Sequence, residues 1–566
     1  MPTWLADNPP AATGPAPTMA DRELHCDMVV VGSGSAALSA ALTAAAGGLR
    51  VLVLEKSAWL GGTSAMSGGA TWAPANLHAA AAGIADSSEE ALDYLRASAP
   101  PGWQSAEEPL WRAFSAAAGA MIECLEGHSP VRFELTDEPD PLAQYPGAKA
   151  RGRMLAPRSL TRRQLRRAGI GALGRWLRPS PLPQYYSYHE IIGLDVYHHP
   201  LASAWRLAPR LLWRWLSGTR SKGAALIAGL LAGCRRLGCQ FERHARATHL
   251  LLDEQGRVGG LWALQHGQVL KVLAPRGVIL ASGGFEWDAA RLAEHFPGPV
   301  DFIASPRSNE GDGQRMAEQA GAQLAHMDQA NINPAMPWRY QGQAHCLAVF
   351  FHYEPNAIIV NRHGQRFVNE FTFNLGEALD QRESPGGASA QLPAWVISDR
   401  SLLKRSPMLR WFHRFDSRWL VRAPTLAALA EKIGLPAAQL EATVARFNGF
   451  CERGVDEDFA RAGGAHGLAR SDKRIHAGLA PISQGPFVAL PFNRTFLATK
   501  GGPRTDEHGR VLRTDGSVLE GLYCCGVAMA NPIGTRAVGA GTTLGPNMTW
   551  GYICARDVLR RGEAWR

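Results

Sequence analysis

Three things the chain lacks narrow its possibilities before any motif is read. Its 566 residues include nine cysteines but no CxxC pair and no evenly spaced framework. No disulfide scaffold is therefore expected, and the nine read as reduced thiols of a cytoplasmic protein. Cys524 and Cys525 are adjacent in an apolar run, which suits a buried strand better than a redox pair. No stretch of about 18 uncharged apolar residues occurs, so no membrane span is expected. The opening MPTWLADNPPAATGPAPTMADRE has no basic segment followed by an apolar one, which argues against a secretory leader. Its Pro, Ala and Thr content predicts a mobile arm over residues 1–24. Hydrophobic residues at 46% and charged ones at 19% are ordinary for a globular protein. The length exceeds the roughly 250–300 residues that one core serves, so two or more domains are expected.

Charge is concentrated. Residues 151–222 carry 14 Lys and Arg against only Glu190 and Asp195, more than accounting for the net +9 of the whole chain. No nucleic-acid-binding module accompanies that basicity, so nucleic acid is not an expected partner, and no metal site is expected either.

The most informative stretch begins at residue 26. CDMVVV is a β-branched run typical of a buried parallel strand. It leads into Gly32-Ser-Gly34-Ser-Ala-Ala37 and then an Ala/Leu-rich helix. Gly32 permits a tight turn, Gly34 lets backbone approach a pyrophosphate, and Ala37 lets helix and strand pack closely. A second strand, LRVLVLEK, ends in Glu55, 21 residues after Gly34. That spacing suits a carboxylate that accepts hydrogen bonds from ribose hydroxyls. Strand, glycines, helix, strand and acid in this order predict an adenine-dinucleotide site.

The next segment favours a flavin dinucleotide. Gly61-Gly62-Thr63-Ser64-Ala-Met-Ser67-Gly68-Gly69 offers unhindered amides and hydroxyls able to wrap a pyrophosphate and a flavin edge. The string EKSAWLGGTSAMSGGATWAPAN resembles the fumarate reductase/3-ketosteroid dehydrogenase superfamily of flavoproteins. The resemblance covers roughly residues 26–150 and 224–562, and is closest to the 3-ketosteroid dehydrogenase branch. It implies FAD held by Lys56, Gly62, Thr63, Ser64, Ser67, Gly68 and Gly69. It further implies a backbone contact to adenine near Ala247, then Gly283 and Gly284 closing the strand GVILASGGF, and the loop residues Asn309 and Asp312. At the far end it implies Gly526, Gly541, Thr543 and Leu544, with a helix aimed at the flavin pyrimidine ring. Superfamily members with covalent FAD carry a His in the glycine-rich loop; residues 57–71 contain none, so non-covalent FAD is expected.

The implied fold is a doubly wound α/β FAD domain built from residues 25–284 and 476–566. It would carry the basic, tryptophan-rich insert 151–222 and an inserted α+β substrate domain over 285–475. The run Ile358 to Glu370 resembles the superfamily's hallmark hairpin, in which Arg366 and Glu370 read as a structural ion pair.

The reaction depends on which branch the chain belongs to. Ketosteroid dehydrogenases polarise a ring ketone with a Tyr hydroxyl and a Gly amide, while a second Tyr takes the α-proton and flavin takes the β-hydride. In TRAVGAGTTLGP the amide position is Gly541, but the Tyr position is Ala537. Tyr145, in AQYPGAKARGR, resembles the branch's Tyr-Pro segment, and Tyr353 precedes the hallmark hairpin. These two are the candidate polar and proton-transfer groups. The first expectation is dehydrogenation of an apolar, ketosteroid-like or other alicyclic ketone beside its carbonyl, with an external electron acceptor. The alternatives are reduction of an unsaturated acid held by Arg536 or Arg307, and an FAD-binding relative without activity.

LASAWRLAPRLLWRWLSG places Arg206, Arg210 and Arg214 at i, i+4 spacing among tryptophans and leucines. It reads either as a cap helix with a solvated Arg face or as a peripheral contact to an anionic membrane through residues 200–220. Pro209 is expected to interrupt or start that helix.

Overall fold

Strands that alternate with glycine turns and Ala-rich helices build a sheet covered on both faces. The computed structural model describes residues 14–182, 184–194, 198–348, 350–384, 386–461 and 478–563. Its six-stranded sheet is formed by β1 (Met28–Val31), β2 (Val51–Glu55), β3 (Gln240–Arg243), β4 (Gly277–Leu280), β5 (Arg510–Leu512) and β6 (Val518–Cys524), in the spatial order β5-β6-β4-β1-β2-β3. All neighbours are parallel except β5, which runs antiparallel to β6. Val278 of β4 faces Val29 of β1 on one side and Leu522 of β6 on the other. Segments some 500 residues apart in sequence thus complete one sheet. The strand order reverses at β1, the position where doubly wound folds open a crevice beyond the strands' carboxyl ends.

The helix Ser35–Ala46 is alanine-rich because it is clamped. A Cβ added to Gly551 of the final helix, Leu544–Glu563, would lie 2.3 Å from the Ala36 carbonyl oxygen, and Ser39 donates to the Met548 carbonyl at 2.6 Å. Side chains larger than Ala or Gly would force these helices apart.

A meander of Ala245–Leu252, Val258–Gln265 and Gln268–Leu273 packs beside the sheet. Arg22–His25 extends it as a parallel strand on Gln268–Leu273, which corrects the expected arm: its last residues are ordered by backbone pairing. Residues 1–13 lie outside the described residues.

The second body is centred on an antiparallel sheet of Ile358–Val360, Trp395–Asp399, Phe487–Pro491 and Val421–Ala423, with the helix Ala437–Arg453 packed on it. The expected return at 475 falls outside the described residues. The chain nevertheless still belongs to this sheet at Phe487–Pro491, so the return comes later than the sequence suggests. Arg366 pairs with Glu370 at 2.9 Å and with Asp456 at 2.8 Å, all buried, and so staples the hairpin to the turn after the long helix.

The insert is not a detached cap. Gln184 donates to the Ser67 carbonyl and accepts from the Ala224 amide, while Tyr340 and Trp338 of the second body donate to the carbonyls of Pro179 and Pro181. Pro209 neither starts nor ends the helix: Pro200–Leu216 runs through it, starting at Pro200. Among the described residues no helix is long and apolar enough to cross a membrane.

Candidate active site

An elongated cavity lies where the sheet topology opens its crevice. Backbone and side chains from ten separate segments line it, including Gly32, Gly34, Glu55, Gly62, Ser64, Ala247, Gly283, Asn309, Gly526 and Thr543. Gly34 caps the helix Ser35–Ala46 without a side-chain hydrogen bond, and the first turn has no acidic residue, so its amides after Ser35 are left for an anion. A Cβ on Gly62 would sit 3.8 Å from the Gly34 Cα, pointing into the gap between the two loops. That contact is of ordinary length; it is the φ of +49° at Gly62 that favours glycine there. Ser64 braces the turn by hydrogen-bonding the Ser35 amide and hydroxyl at 3.2 and 3.0 Å.

At the other end, Glu55 is fixed by Ser33 Oγ at 2.5 Å and the Ser57 amide at 2.9 Å, each donating to one carboxylate oxygen. Further lone pairs remain for a diol. Lys56 does not reach out; it is held by Glu310 at 2.7 Å and Asp312 at 2.8 Å, and Arg246 pairs with the same two carboxylates. Burial pushes the Asp312 carboxyl up, but Lys56 and Arg246 outweigh it and hold it at about 2. Asn547, in the first turn of the final helix, has a buried Oδ1 on this cavity with no partner among the described residues. A dinucleotide meets each of these demands: pyrophosphate at the glycine turn, ribose at Glu55, and ring N–H groups for Asn547. The residues present fit FAD.

Of the residues expected to hold the cofactor, Ala37, Gly68, Gly69, Gly284 and Gly541 do not line the cavity. Ala37 is fully buried in helix packing. Added Cβ atoms on Gly69 and Gly284 would meet Lys222 backbone at 2.9 Å and the Thr499 hydroxyl at 2.3 Å. Their smallness serves chain packing. The lining residues Asn331, Leu497 and Ala498 escape sequence reasoning, since each stands in a strand with no motif around it, and Asn547 lies one residue past the TRAVGAGTTLGP run.

Asn331 and Thr543 are shared with a second, adjoining cleft. Its walls include Glu138, Pro139, Tyr188, Ile332, Asn333, Phe350, Tyr353, Phe373, Asn374, Lys500, Ala537 and Gly541. Asn333 donates to Asn331 at 2.6 Å and Asn331 to Thr543 at 3.0 Å, so an amide chain runs from cleft to cavity. Gly541 has φ +87°, and its carbonyl accepts from the amides of Trp72 and Gly545. The Ala537 amide donates to Asn374 Oδ1 at 2.8 Å. Lys500 is buried, donates to the Gly534 carbonyl at 2.6 Å, and is pushed down by burial to about 8. Tyr188 donates to Glu138 Oε1 at 3.0 Å.

Tyr353 lines the cleft, its ring parallel to those of Phe350 and Phe371. Tyr145 is not brought to the cleft; it packs against the dinucleotide-domain core. Arg536 is a correction. Its guanidinium grips Glu377 at 2.9 and 2.6 Å and donates to the Ser98 carbonyl, so its charge is spent on a structural pair outside the cleft. Arg307 lies over the Trp287 ring and lines a separate pocket with Arg178 and His345, away from the cleft. Burial holds His352 down at about 3 and also lowers His345, leaving both neutral at physiological pH.

Residues 27–544 match the family model described as FAD binding domain. The chain is 36% identical to 4-oxocyclohexanecarboxylate 2-dehydrogenase of Sinomonas cyclohexanicum, over 95% of this chain and 94% of that one. It is 34% identical to 3-oxosteroid 1-dehydrogenase of Mycolicibacterium smegmatis, over 95% and 98%. The crystal structure of 3-ketosteroid delta1-dehydrogenase from Sterolibacterium denitrificans, in complex with 1,4-androstadiene-3,17-dione, superposes with a TM-score of 0.82 at 30% identity, covering 95% of this chain and all of that one. The chain thus belongs to the FAD-binding flavoprotein family that includes the 3-oxosteroid and 4-oxocyclohexanecarboxylate dehydrogenases, and it is an FAD-dependent oxidoreductase.

Proposed function

We propose that this flavoenzyme removes two hydrogens from the carbons beside the carbonyl of a ring ketone and passes the electrons to an external acceptor. The observation that carries this reading is the cleft that adjoins the dinucleotide cavity, with Asn331 and Thr543 lining both and Gly541 in its wall. Bound FAD supplies a hydride acceptor at its N5. The chain's own residues orient the ring, and the Gly541 amide is the group suited to polarise its carbonyl. Polarisation acidifies the α-carbon, so a weak protein base suffices in a water-poor cleft. With Ala537 where ketosteroid enzymes carry Tyr, the ketone here relies on the Gly541 amide without that second donor. The cleft's amides and lysine suit a ring with further polar groups.

Anaerobic addition of 4-oxocyclohexanecarboxylate or a 3-ketosteroid to the purified yellow protein is expected to bleach the flavin, whereas succinate leaves it yellow. If fumarate reoxidises the reduced enzyme and enones do not, the ring-ketone reading falls.

A second reading concerns where the substrate is met. The helix Pro200–Leu216 exposes Trp205 at 84% and Trp213 at 68%, together with Leu201, Leu212, Trp215 and Leu216. Arg214 is turned inward to Glu190 at 2.5 Å, while Arg206 and Arg210 stay exposed. Exposed tryptophans beside Arg206 and Arg210 suit an anionic lipid surface, where apolar ketones accumulate. Flotation with phosphatidylglycerol vesicles is expected to carry the protein up, and Trp205→Ala with Trp213→Ala to release it. A wild-type protein that stays below the vesicles removes this reading.

A further inference from the structure

We infer that Tyr188, backed by Glu138, takes the α-proton of the ketone; this rests on the ring-ketone reading above. Neither residue belongs to a motif that points to it. Among the described residues lining the cleft, Glu138 is the one carboxylate. It sits half-buried with Tyr188 Oη donating to its Oε1 at 3.0 Å and Thr136 Oγ1 at 3.4 Å from its Oε2. The Tyr188 ring is also placed against the cofactor loop: a Cβ added to Gly68 would be 3.5 Å from its Cε2. A carboxylate makes the phenol that donates to it more basic, so the phenol oxygen can take up one proton as its own passes on. Tyr353, the other phenol among the described residues of the cleft, is 3% exposed and stacked beside Phe350 and Phe371. Burial between two aromatic rings raises the cost of developing negative charge on its oxygen.

The step balances. The α C–H bond breaks and its proton forms an O–H bond on Tyr188, while the Tyr188 proton moves to Glu138 Oε1. The electron pair left on the α-carbon closes the new C=C as the β-hydrogen leaves as hydride, for which bound FAD would supply the acceptor. Glu138 then loses the proton to water on its half-exposed side. The helix start at Tyr188 fixes the geometry: Ser187 and Glu190 form a reciprocal capping box, and Glu190 is in turn held by Arg214. The insert thus supplies a reacting group in addition to a surface.

Proton transfer separates from hydride transfer when the holoenzyme is first reduced, because reduced flavin cannot accept hydride. Reduced wild-type holoenzyme in D2O, given 4-oxocyclohexanecarboxylate or 4-androstene-3,17-dione, is expected to wash out α-hydrogen, read by mass spectrometry. Tyr188→Phe is expected to slow the exchange and kcat by about 100-fold or more, with flavin content kept and KM within about threefold. Glu138→Gln is expected to slow both by about tenfold, and Glu138→Asp to recover part of the loss. Should Tyr188→Phe fail to hold flavin, the two Glu138 variants still decide the matter, since neither alters the ring against Gly68. Wild-type exchange matched by Tyr188→Phe, or unchanged by Glu138→Gln, overturns the assignment alone. A wild type that neither exchanges nor oxidises any ring ketone overturns the ring-ketone reading itself.

Discussion

The dinucleotide cavity and the ketone cleft touch at Asn331 and Thr543, yet they are built by different means. The cavity is made largely of backbone: glycine turns, helix amides and short hydroxyls brought together by strand order. The cleft is made of individual side chains, with Glu138 and Tyr188 from segments flanking and within the insert, Tyr353 and Asn374 from the second body, and Lys500 and Gly541 from the returning chain. Backbone sites tolerate little change because sterics define them. Side-chain sites can exchange one donor for another, which is how Ala537 can stand where the family resemblance implies a tyrosine while the cavity next to it stays intact.

The largest effect is expected at Gly32. Its φ is +105°, and an added Cβ would lie 2.4 Å from the Ala281 carbonyl oxygen. Gly32→Ala therefore incurs both backbone strain and a clash with the end of β4, together about 2–4 kcal/mol. The purified variant is expected to be colourless and to gain no flavin absorbance when FAD is added. A yellow Gly32→Ala protein would erase the distinction between a steric site and an exchangeable one. Asp312 tests the cavity's one charged corner. Its carboxyl sits at about 2 against an ordinary 3.8. The depressed value means its stabilisation is complete above the unfolded pKa and is lost as pH falls through about 2. The difference corresponds to about 2 kcal/mol. Asp312→Asn is expected to lower stability at neutral pH by that order in denaturant titrations and to flatten the loss between pH 4 and 2. Glu310 continues to hold Lys56 and Arg246, which keeps the effect below that at Gly32.

The same contrast decides what is legible in the sequence. Gly32, Gly34 and Glu55 belong to one contiguous strand-turn-helix-strand unit, so their spacing alone announces their roles. Thr543 and Gly526 come through resemblance. Arg536 misleads because the residue that neutralises it, Glu377, lies 159 positions away. Tyr188 is hard to single out since the insert reads as charge and tryptophan. One local signal is present, the Ser187-x-x-Glu190 capping box that marks a helix beginning at Tyr188. What it faces, Glu138 across 50 positions, is a product of the fold alone. Asn331 likewise carries no sequence pattern, because a strand presents one amide as readily as another residue.

Lys500 gives the finest test of the cleft. Its ammonium is buried and donates to the Gly534 carbonyl at 2.6 Å, and among the described residues no carboxylate pairs with it. Burial lowers it from 10.5 to about 8. Below pH 8 the folded and unfolded states both carry the proton, and the folded state bears the cost of an unpaired buried charge. Between about 8 and 10.5 the folded lysine is neutral while the unfolded one is still charged, so stability rises with pH across that interval. From pH 8 to pH 9 the gain approaches about 1 kcal/mol. Lys500→Met is expected to abolish this rise in denaturant titrations and to be no less stable than wild type at pH 7, since it removes a charge that has no counter-ion. An anionic ring ketone that binds beside Lys500 would restore the missing partner, so its protection against unfolding is expected to be greater at pH 7 than at pH 9 in wild type and independent of pH in Lys500→Met. Equal protection at both pH values in wild type would mean that the ammonium faces the Gly534 loop only, and that the cleft selects its ketone by shape and amide contacts instead of charge.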